Sequence, residues 1–236
     1  MNTKMNILAI IQARYNSTRF PGKICEDLCG TPVLWRVVQR VRAACKTNLV
    51  AVAVPHGDKS LLRAKGTRAQ GLSMLGASPL WEAPETIAPE DVLGRFVACI
   101  DDVMPTATYV IRVCGDNPLL DVESLRTLVT ACEELGPDYV GYRFRDGSPA
   151  ITRPTGYFAE AVWVTALRSM NDKLDKNHRW REHVTAGLYE EEGHSVDWIP
   201  VPQWYYDSQT PKFTAIDTPD DLERVRRYVS KGQTRS

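Results

Sequence analysis

The chain predicts an α/β fold: a mostly parallel sheet with helices on both faces and a small inserted β-arm. Three observations carry this. Strand-length apolar runs alternate with amphipathic helical segments through the first ~140 residues. The runs Ile7–Ile11, Leu49–Val54 and Tyr109–Val113 are apolar almost throughout, as strands buried on both faces are. Beyond residue 139 the period changes and a hairpin signal, Asp146-Gly147, appears.

Taken in order, the first strand runs into a loop from Gln12 to Lys23. Thr31-Pro32 then reads as an N-cap followed by proline at the first helical position. Leu34, Val37, Val38, Val41 and Cys45 mark one face of the helix that follows. After the second strand, Asp58–Gln70 is expected to be a polar helix. Gly71–Pro89 is rich in glycine and proline, and is expected to be a long irregular loop of functional use. Pro89-Glu90-Asp91 opens a helix with Leu93, Phe96, Val97 and Ile100 on one side. Asp121 caps another, striped with Val122, Leu125, Leu128, Val129, Cys132 and Leu135.

Tyr139–Phe144 is strand-like, and Ala150–Arg153 is its expected return strand. Helices are expected at Ala161–Met170 and Arg179–Leu188, and strands at Val196–Pro200 and Phe213–Ile216, the last returning to the main sheet. The aromatic loop Trp204-Tyr205-Tyr206 between them is expected at a subunit interface, where aromatics are enriched. Thr218-Pro219-Asp220-Asp221 is a cap with proline and first-turn acids, leading into a helix faced by Leu222, Val225 and Val229. One domain is expected over 1–229, with about 140–210 containing the inserted arm, and 230–236 as a disordered tail.

Bulk properties exclude several classes. The 236 residues hold 29 Lys+Arg against 29 Asp+Glu, so the basic excess of a duplex nucleic-acid binder is missing. No apolar run approaches the ~20 residues that span a bilayer, and no secretory pattern opens the chain. The cysteines at 25, 29, 45, 99, 114 and 132 have no Cys-x-x-Cys spacing and read as buried thiols of a cytoplasmic protein.

Chemistry concentrates at the ends of strands. The loop after the first strand carries Arg14, Arg19 and Lys23, the hydroxyls Ser17 and Thr18, and Pro21-Gly22. Arginine offers a planar fork to phosphate oxygens, lysine a point charge, and small residues let backbone N–H groups approach, so the loop suits a polyphosphate. Open α/β sheets bind ligands at this edge. Asp116 follows the strand Tyr109–Val113, and Asp217 follows Phe213–Ile216, which places both on the loop's side. Alone, Asp116 is a turn residue in Gly-Asp-Asn-Pro and Asp217 a neighbour of a helix cap. Together with three cations they suit Mg²⁺ on a nucleoside triphosphate, since Mg²⁺ takes one or two carboxylates and completes its shell with phosphate and water.

The stretches IIQARYNSTRFPGK, EDVLGRF, RVCGDNPLLD, REHVT and AIDTPDDLERVR resemble the cytidylyltransferase family of the spore-coat-polysaccharide type, with CMP-Kdo and CMP-acylneuraminate synthetases more distant. They spread from residue 7 to residue 229, and the first and last are the specific ones. The resemblance implies a Rossmann-like three-layer α/β/α nucleotidyltransferase fold. It implies that CTP and Mg²⁺ bind, that CMP passes to an acidic sugar or related small acidic acceptor with release of pyrophosphate, and that the protein is a homodimer. Carried over by position, Ala13, Arg14, Ser17, Arg19, Lys23 and Arg112 would handle the nucleotide. Asp116 and Asp217 would hold the metal, and Arg14, Lys23, Asp116 and Asp217 would carry catalysis. Arg153, Glu160 and Arg181 would face the acceptor, with Arg179 a further candidate.

The chain also departs from the family. Asn16 stands where glycine is common, so its side chain is expected to narrow the phosphate cradle. Phe158 stands where the pattern Pro154-x-Gly156-x-Phe158-x-Glu160 usually has an acid, and the Gly71–Pro89 loop is longer than the norm. A glycosyltransferase of similar fold would carry an Asp-x-Asp motif, which Gly115-Asp116-Asn117-Pro118 lacks. A nucleotide-binding regulator without catalysis would fit Asn16 and Phe158, but not the joint retention of Arg14, Lys23, Asp116 and Asp217. An NAD enzyme would need Gly-x-Gly-x-x-Gly after the first strand, and none is there.

Overall fold

The computed structural model describes residues 5–45, 49–60, 62 and 79–232. Its described strands are β1 (Ile7–Gln12), β2 (Leu49–Val54), β3 (Leu80–Glu82), β4 (Tyr109–Cys114), β5 (Tyr139–Arg143), β6 (Glu160–Trp163) and β7 (Val196–Pro200). They form one sheet in the order β3-β2-β1-β4-β6-β5-β7. β6 is antiparallel to both neighbours, β4 and β5, and the other described pairs are parallel. The carboxyl ends of β1, β2, β3 and β4 therefore meet at one edge.

The helices are α1 (Val33–Ala44), α2 (Val92–Val103), α3 (Val122–Leu135), α4 (Val164–Lys173), the short α5 (Trp180–His183) and α6 (Ala186–Glu190), and α7 (Pro219–Ser230). β1 shows why three layers form. Its odd residues Ile7, Ala9 and Ile11 pack with Val37 and Val41 of α1, Leu125 of α3 and Leu222 of α7. Its even residues Leu8 and Ile10 pack with Leu93 and Phe96 of α2 and Leu167 of α4. Successive side chains of a strand point to opposite faces, so a wholly apolar strand needs a helix layer on each. Each such buried Ile or Leu contributes about 1.5–3 kcal/mol. Helix starts follow their caps. Asp91 accepts from the Gly94 N–H at 2.9 Å and Asp121 from the Ser124 N–H at 2.8 Å. Thr218 and Asp221 form a full capping box, with Pro219 at the first helical position.

Several expectations need correction. Pro32, not Thr31, is the N-cap of α1, which starts one residue later than expected. Ala150–Thr152 is a 3-10 turn, not a return strand, and only a single bridge joins Arg143 to Pro149. Residues 160–163 form β6 before α4 begins, because Ala161 and Val162 fill opposite faces of the sheet beside β4. The expected helix at 179–188 is broken at Val184, whose φ is 42°, leaving α5 and α6. Residues 213–216 form no strand. The Thr214 and Ile216 N–H groups donate to Pro154, Thr155 and Asp116 carbonyls, so they tie two loops together instead. Gly71–Pro89 is not wholly irregular, since β3 lies within it; residues 71–78 lie outside the described residues, as do 63–70 of the expected polar helix. The expected tail begins too early, for α7 runs through Ser230; residues 233–236 lie outside the described residues. Cys29 is exposed rather than buried.

Trp204–Tyr206 lies in a 3-10 turn and packs inside this chain. Trp204 and Tyr205 meet Tyr157 and Phe158, and Phe158 stacks at 4.8 Å on Tyr142. Phe158 is thus a core residue of the arm. No helix among the described residues is long and apolar enough to cross a membrane.

Candidate active site

The loop leaving β1 is held by its own backbone and by one buried carboxylate. The Tyr15 N–H donates to Asp58 Oδ2 at 2.6 Å, and the Asn16 amide donates to Asp58 Oδ1 at 3.3 Å. Asn16 is therefore turned to Asp58 and does not line the cleft, so the expected narrowing of the cradle does not occur. The Gly22 N–H reaches back to the Tyr15 carbonyl at 2.7 Å. Gly22 has φ 77°, and a Cβ there would stand 3.3 Å from the Tyr15 ring, so glycine suits both the conformation and the space. That turn starts a 3-10 segment at Lys23 and drives its side chain inward.

Lys23 Nζ meets Asp116 Oδ2 at 2.6 Å and Asp217 Oδ1 at 2.9 Å. Arg19 reaches the same Asp217 oxygen at 2.9 Å from the solvent side. The Lys23 side chain is 6% exposed, while Asp116 and Asp217 are 24% and 26% exposed. Burial works against the lysine's charge, but Asp116 and then Asp217 outweigh it and hold its pKa above the ordinary value. The two aspartate loops are joined directly, since the Ile216 N–H donates to the Asp116 carbonyl at 3.0 Å. The Asp217 N–H donates to Asp221 Oδ2 at 3.0 Å, so the α7 capping box also places Asp217. Gly115 allows the β1 and β4 exits to touch: a Cβ there would lie 2.9 Å from the Gln12 carbonyl oxygen.

These groups line a cleft of about 400 Å³. It brings together Ala13, Arg14, Ser17, Arg19, Lys23, Arg112, Asp116 and Asp217, eight of the residues expected from sequence. Arg112 also belongs to a buried network. It donates to Glu160 Oε2 at 2.5 Å and to Gln12 Oε1 at 3.0 Å, and Glu160 accepts further from Tyr139 and Thr185. Glu160 raises the Arg112 pKa despite its burial. With 2% exposure and every oxygen engaged, Glu160 does not face an acceptor. Arg181 does not either: it is buried and donates to both oxygens of Asp91, at 3.0 and 2.9 Å. Arg153 lines an adjoining cavity of about 410 Å³ that shares Asp116 and Asp217 with the cleft. Arg179 pairs with Glu190 at 2.5 Å on a third cavity, which His183 and Arg112 also line.

Sequence reasoning missed Arg95, Glu182 and His183, all of which line the cleft. Arg95 is buried in α2, donates to the Pro89 carbonyl at 2.9 Å and has no hydrogen-bond partner at Nε. Burial, with Arg14 nearby, pushes its pKa down to about 10. Its signal was an arginine one position from Phe96 on an otherwise apolar helix face. Glu182 and His183 lie within REHVT, one of the stretches that carry the resemblance, but as part of an expected helix they suggested a structural or interfacial place and not the cleft.

The α/β/α sheet gathers a cationic loop and two carboxylates in one cleft at its carboxyl edge, the place where open α/β sheets bind ligands. Residues 8–59 match the model of the cytidylyltransferase family. The chain is 29% identical over 237 residues to the spore coat polysaccharide biosynthesis protein SpsF of Bacillus subtilis, covering 98% of this chain and 89% of that protein. It is 26% identical to a 3-deoxy-manno-octulosonate cytidylyltransferase of Anaeromyxobacter dehalogenans, covering 96% and 99%. A CMP:2-keto-3-deoxy-manno-octonic acid synthetase solved with CTP matches the fold with TM-score 0.70 at 17% identity, over 96% of this chain and 99% of that one. Rv0371c of Mycobacterium tuberculosis, solved with manganese, matches with TM-score 0.64 at 17% identity, over 94% and 99%. The chain has the fold of Rossmann-like nucleotidyltransferases and is similar in sequence to cytidylyltransferases of the spore-coat-polysaccharide and 3-deoxy-manno-octulosonate kinds.

Proposed function

We propose that the protein is an Mg²⁺-dependent cytidylyltransferase that transfers CMP from CTP to an acidic sugar or related acceptor and releases pyrophosphate. The observation that carries this reading is the meeting of Lys23, Arg19, Asp116 and Asp217 in one cleft. Relatives named for polysaccharide and sugar-acid activation support the acceptor class. The donor set fits Mg²⁺: two part-exposed carboxylates, both bound to Lys23, at the cleft. Such a pair leaves most of the metal's shell to phosphate and water.

Arg14 and Arg19 give forked donors and Lys23 a point charge to the β- and γ-phosphates. Ser17 and the loop N–H groups complete the cradle. An acceptor oxygen attacks the α-phosphorus in line; the new O–P bond forms as the bond to the pyrophosphate oxygen breaks, and the acceptor's proton leaves to solvent. Charge building on the departing pyrophosphate falls on Arg14, Arg19 and Lys23. Asp116 and Asp217 would hold a divalent cation, which would supply Lewis-acid polarisation of the phosphate. The protein supplies no covalent nucleophile. The adjoining cavity with Arg153 offers the acceptor a cation beside the same aspartates. The enzyme acts in the cytoplasm as a homodimer.

The test offers purified protein and Mg²⁺ each of the four nucleoside triphosphates with acidic-sugar acceptors, and follows pyrophosphate. CTP-preferring release dependent on an acceptor is expected. Binding of CTP with no release for any acceptor overturns it in favour of a regulatory nucleotide-binding role. Light scattering checks the dimer.

A further inference from the structure

The reading of Asp116 and Asp217 as a metal pair leaves one arrangement unexplained. Lys23 Nζ stands between the two carboxylates, within 2.6 Å of one and 2.9 Å of the other. A divalent cation held by both aspartates would draw on the same two carboxylates. An ammonium and a dication a few ångströms apart repel by about 4 kcal/mol or more, so such a cation disfavours Lys23 in its present place. Two of the ammonium's three donors are already spent on the aspartates, which leaves one for a phosphate. A second position of the side chain, turned to the phosphates, relieves both.

The surroundings allow this. The Lys23 backbone is fixed by the turn at Gly22 and by the 3-10 segment that follows. Its head borders the open cleft of about 400 Å³. A flexible four-carbon stem with a compact ammonium can move its charge by rotamer change. Arg19 differs: it touches only Asp217 and is 66% exposed, so it closes nothing off.

We propose that Lys23 is the resident counter-ion of the Asp116–Asp217 pair and yields that place only when a nucleotide presents phosphate oxygens to its Nζ. Lys23 thereby sets which cation species the site accepts. Free divalent ions are held off, and a metal–nucleotide complex is admitted, because that complex gives the ammonium a new anionic partner as it takes the old one. In the nucleotide-free protein the same lysine ties the two aspartate loops together. This rests on the metal reading proposed above.

The test measures Mn²⁺ binding to the full chain by electron paramagnetic resonance, without nucleotide and with a non-hydrolysable CTP analogue. Wild type is expected to bind Mn²⁺ weakly alone and tightly with the analogue. Lys23→Met, with Lys23→Gln as a second neutral variant, is expected to bind Mn²⁺ alone at least about tenfold more tightly than wild type, since a bridging positive charge has gone. Arg19→Gln removes a cation without opening the bridge and is expected to gain less than about threefold. Equal gains for Lys23→Met and Arg19→Gln would mean a general charge effect and overturn the inference, as would tight binding of Mn²⁺ alone by wild type. The paired variant Asp116→Asn with Asp217→Asn keeps the two readings apart. If it still binds Mn²⁺ with the analogue as wild type does, the metal assignment itself is wrong; if it loses binding while Lys23→Met shows no gain, only the lysine's role is wrong.

Discussion

Two cation–carboxylate clusters grow from β4 and its exit, and they are built to opposite ends. Arg112 lies within the strand and Asp116 two residues beyond it. Around Arg112 the cluster is closed: Glu160 meets Arg112, Tyr139 and Thr185, and almost none of it touches solvent. Around Asp116 the cluster is open: each aspartate is about a quarter exposed, and one side of the pair faces the cleft. A network this buried and this densely hydrogen-bonded serves chiefly to fix its elements, with Arg112 alone of its members also bordering the cleft. A part-exposed pair with free lone pairs can exchange one cation for another. Position along one strand therefore separates scaffold from chemistry.

Breaking the closed cluster is expected to have the largest effect. Glu160→Ala leaves Arg112 buried and unpaired, and should cost about 3–5 kcal/mol of stability, read by urea unfolding. A loss under about 1 kcal/mol would show that the network is not the anchor described. The open cluster should behave in reverse. Asp116→Asn and Asp217→Asn are each expected to lower pyrophosphate release about 10²–10³-fold, as loss of one preorganised charge does, with the unfolding midpoint nearly kept. Turnover at the wild-type level in both would remove the aspartates from catalysis.

A smaller effect sharpens the contrast from beneath. Thr218→Ala removes the α7 cap and should cost about 1 kcal/mol; because that cap's partner Asp221 also holds the Asp217 backbone, the KM for nucleotide should rise with it. The smallest is a pH dependence. Burial raises the Asp221 pKa somewhat, but hydrogen bonds from Thr218 and Arg224 and from the Asp217 and Thr218 backbone hold it below 3.8. A depressed carboxyl stabilises above its unfolded pKa and loses that contribution as pH falls through the folded one. Acid unfolding below pH ~4 should thus be less steep in Asp221→Asn than in wild type. Identical acid slopes would count against the capping box as a pH-linked element.

The parallel half of the sheet was legible because its strands are apolar on both faces and its helices carry caps, both local signals. β2 matches expectation residue for residue, as does β7 at the far edge of the sheet, and α7 starts at its capping box. The antiparallel β6 was not legible. Glu160–Trp163 reads as the start of a helix because Ala161 and Val162 suit either state, and only pairing with β4 decides between them. Val184 breaks a helix that its own sequence would continue; Thr185 is held by Glu160 at the start of β6, a contact no local pattern encodes. The cleft followed the same division. Arg14, Lys23 and Asp116 sit at strand ends and could be placed from sequence. Arg181 and Glu160 look like exposed recognition groups on paper, yet the fold turns both inward onto Asp91 and Arg112.

The Lys23–Asp217 contact joins residues 194 positions apart. At synthesis rates of about 5–20 residues per second, roughly 10–40 s separate the emergence of the two partners from the ribosome. Through that interval the buried ammonium has Asp116 at most. The charge balance of the cleft is completed by α7, so recovery of nucleotide binding on refolding times the docking of that helix, and an earlier signal from the sheet would mark a populated intermediate with an unfinished site.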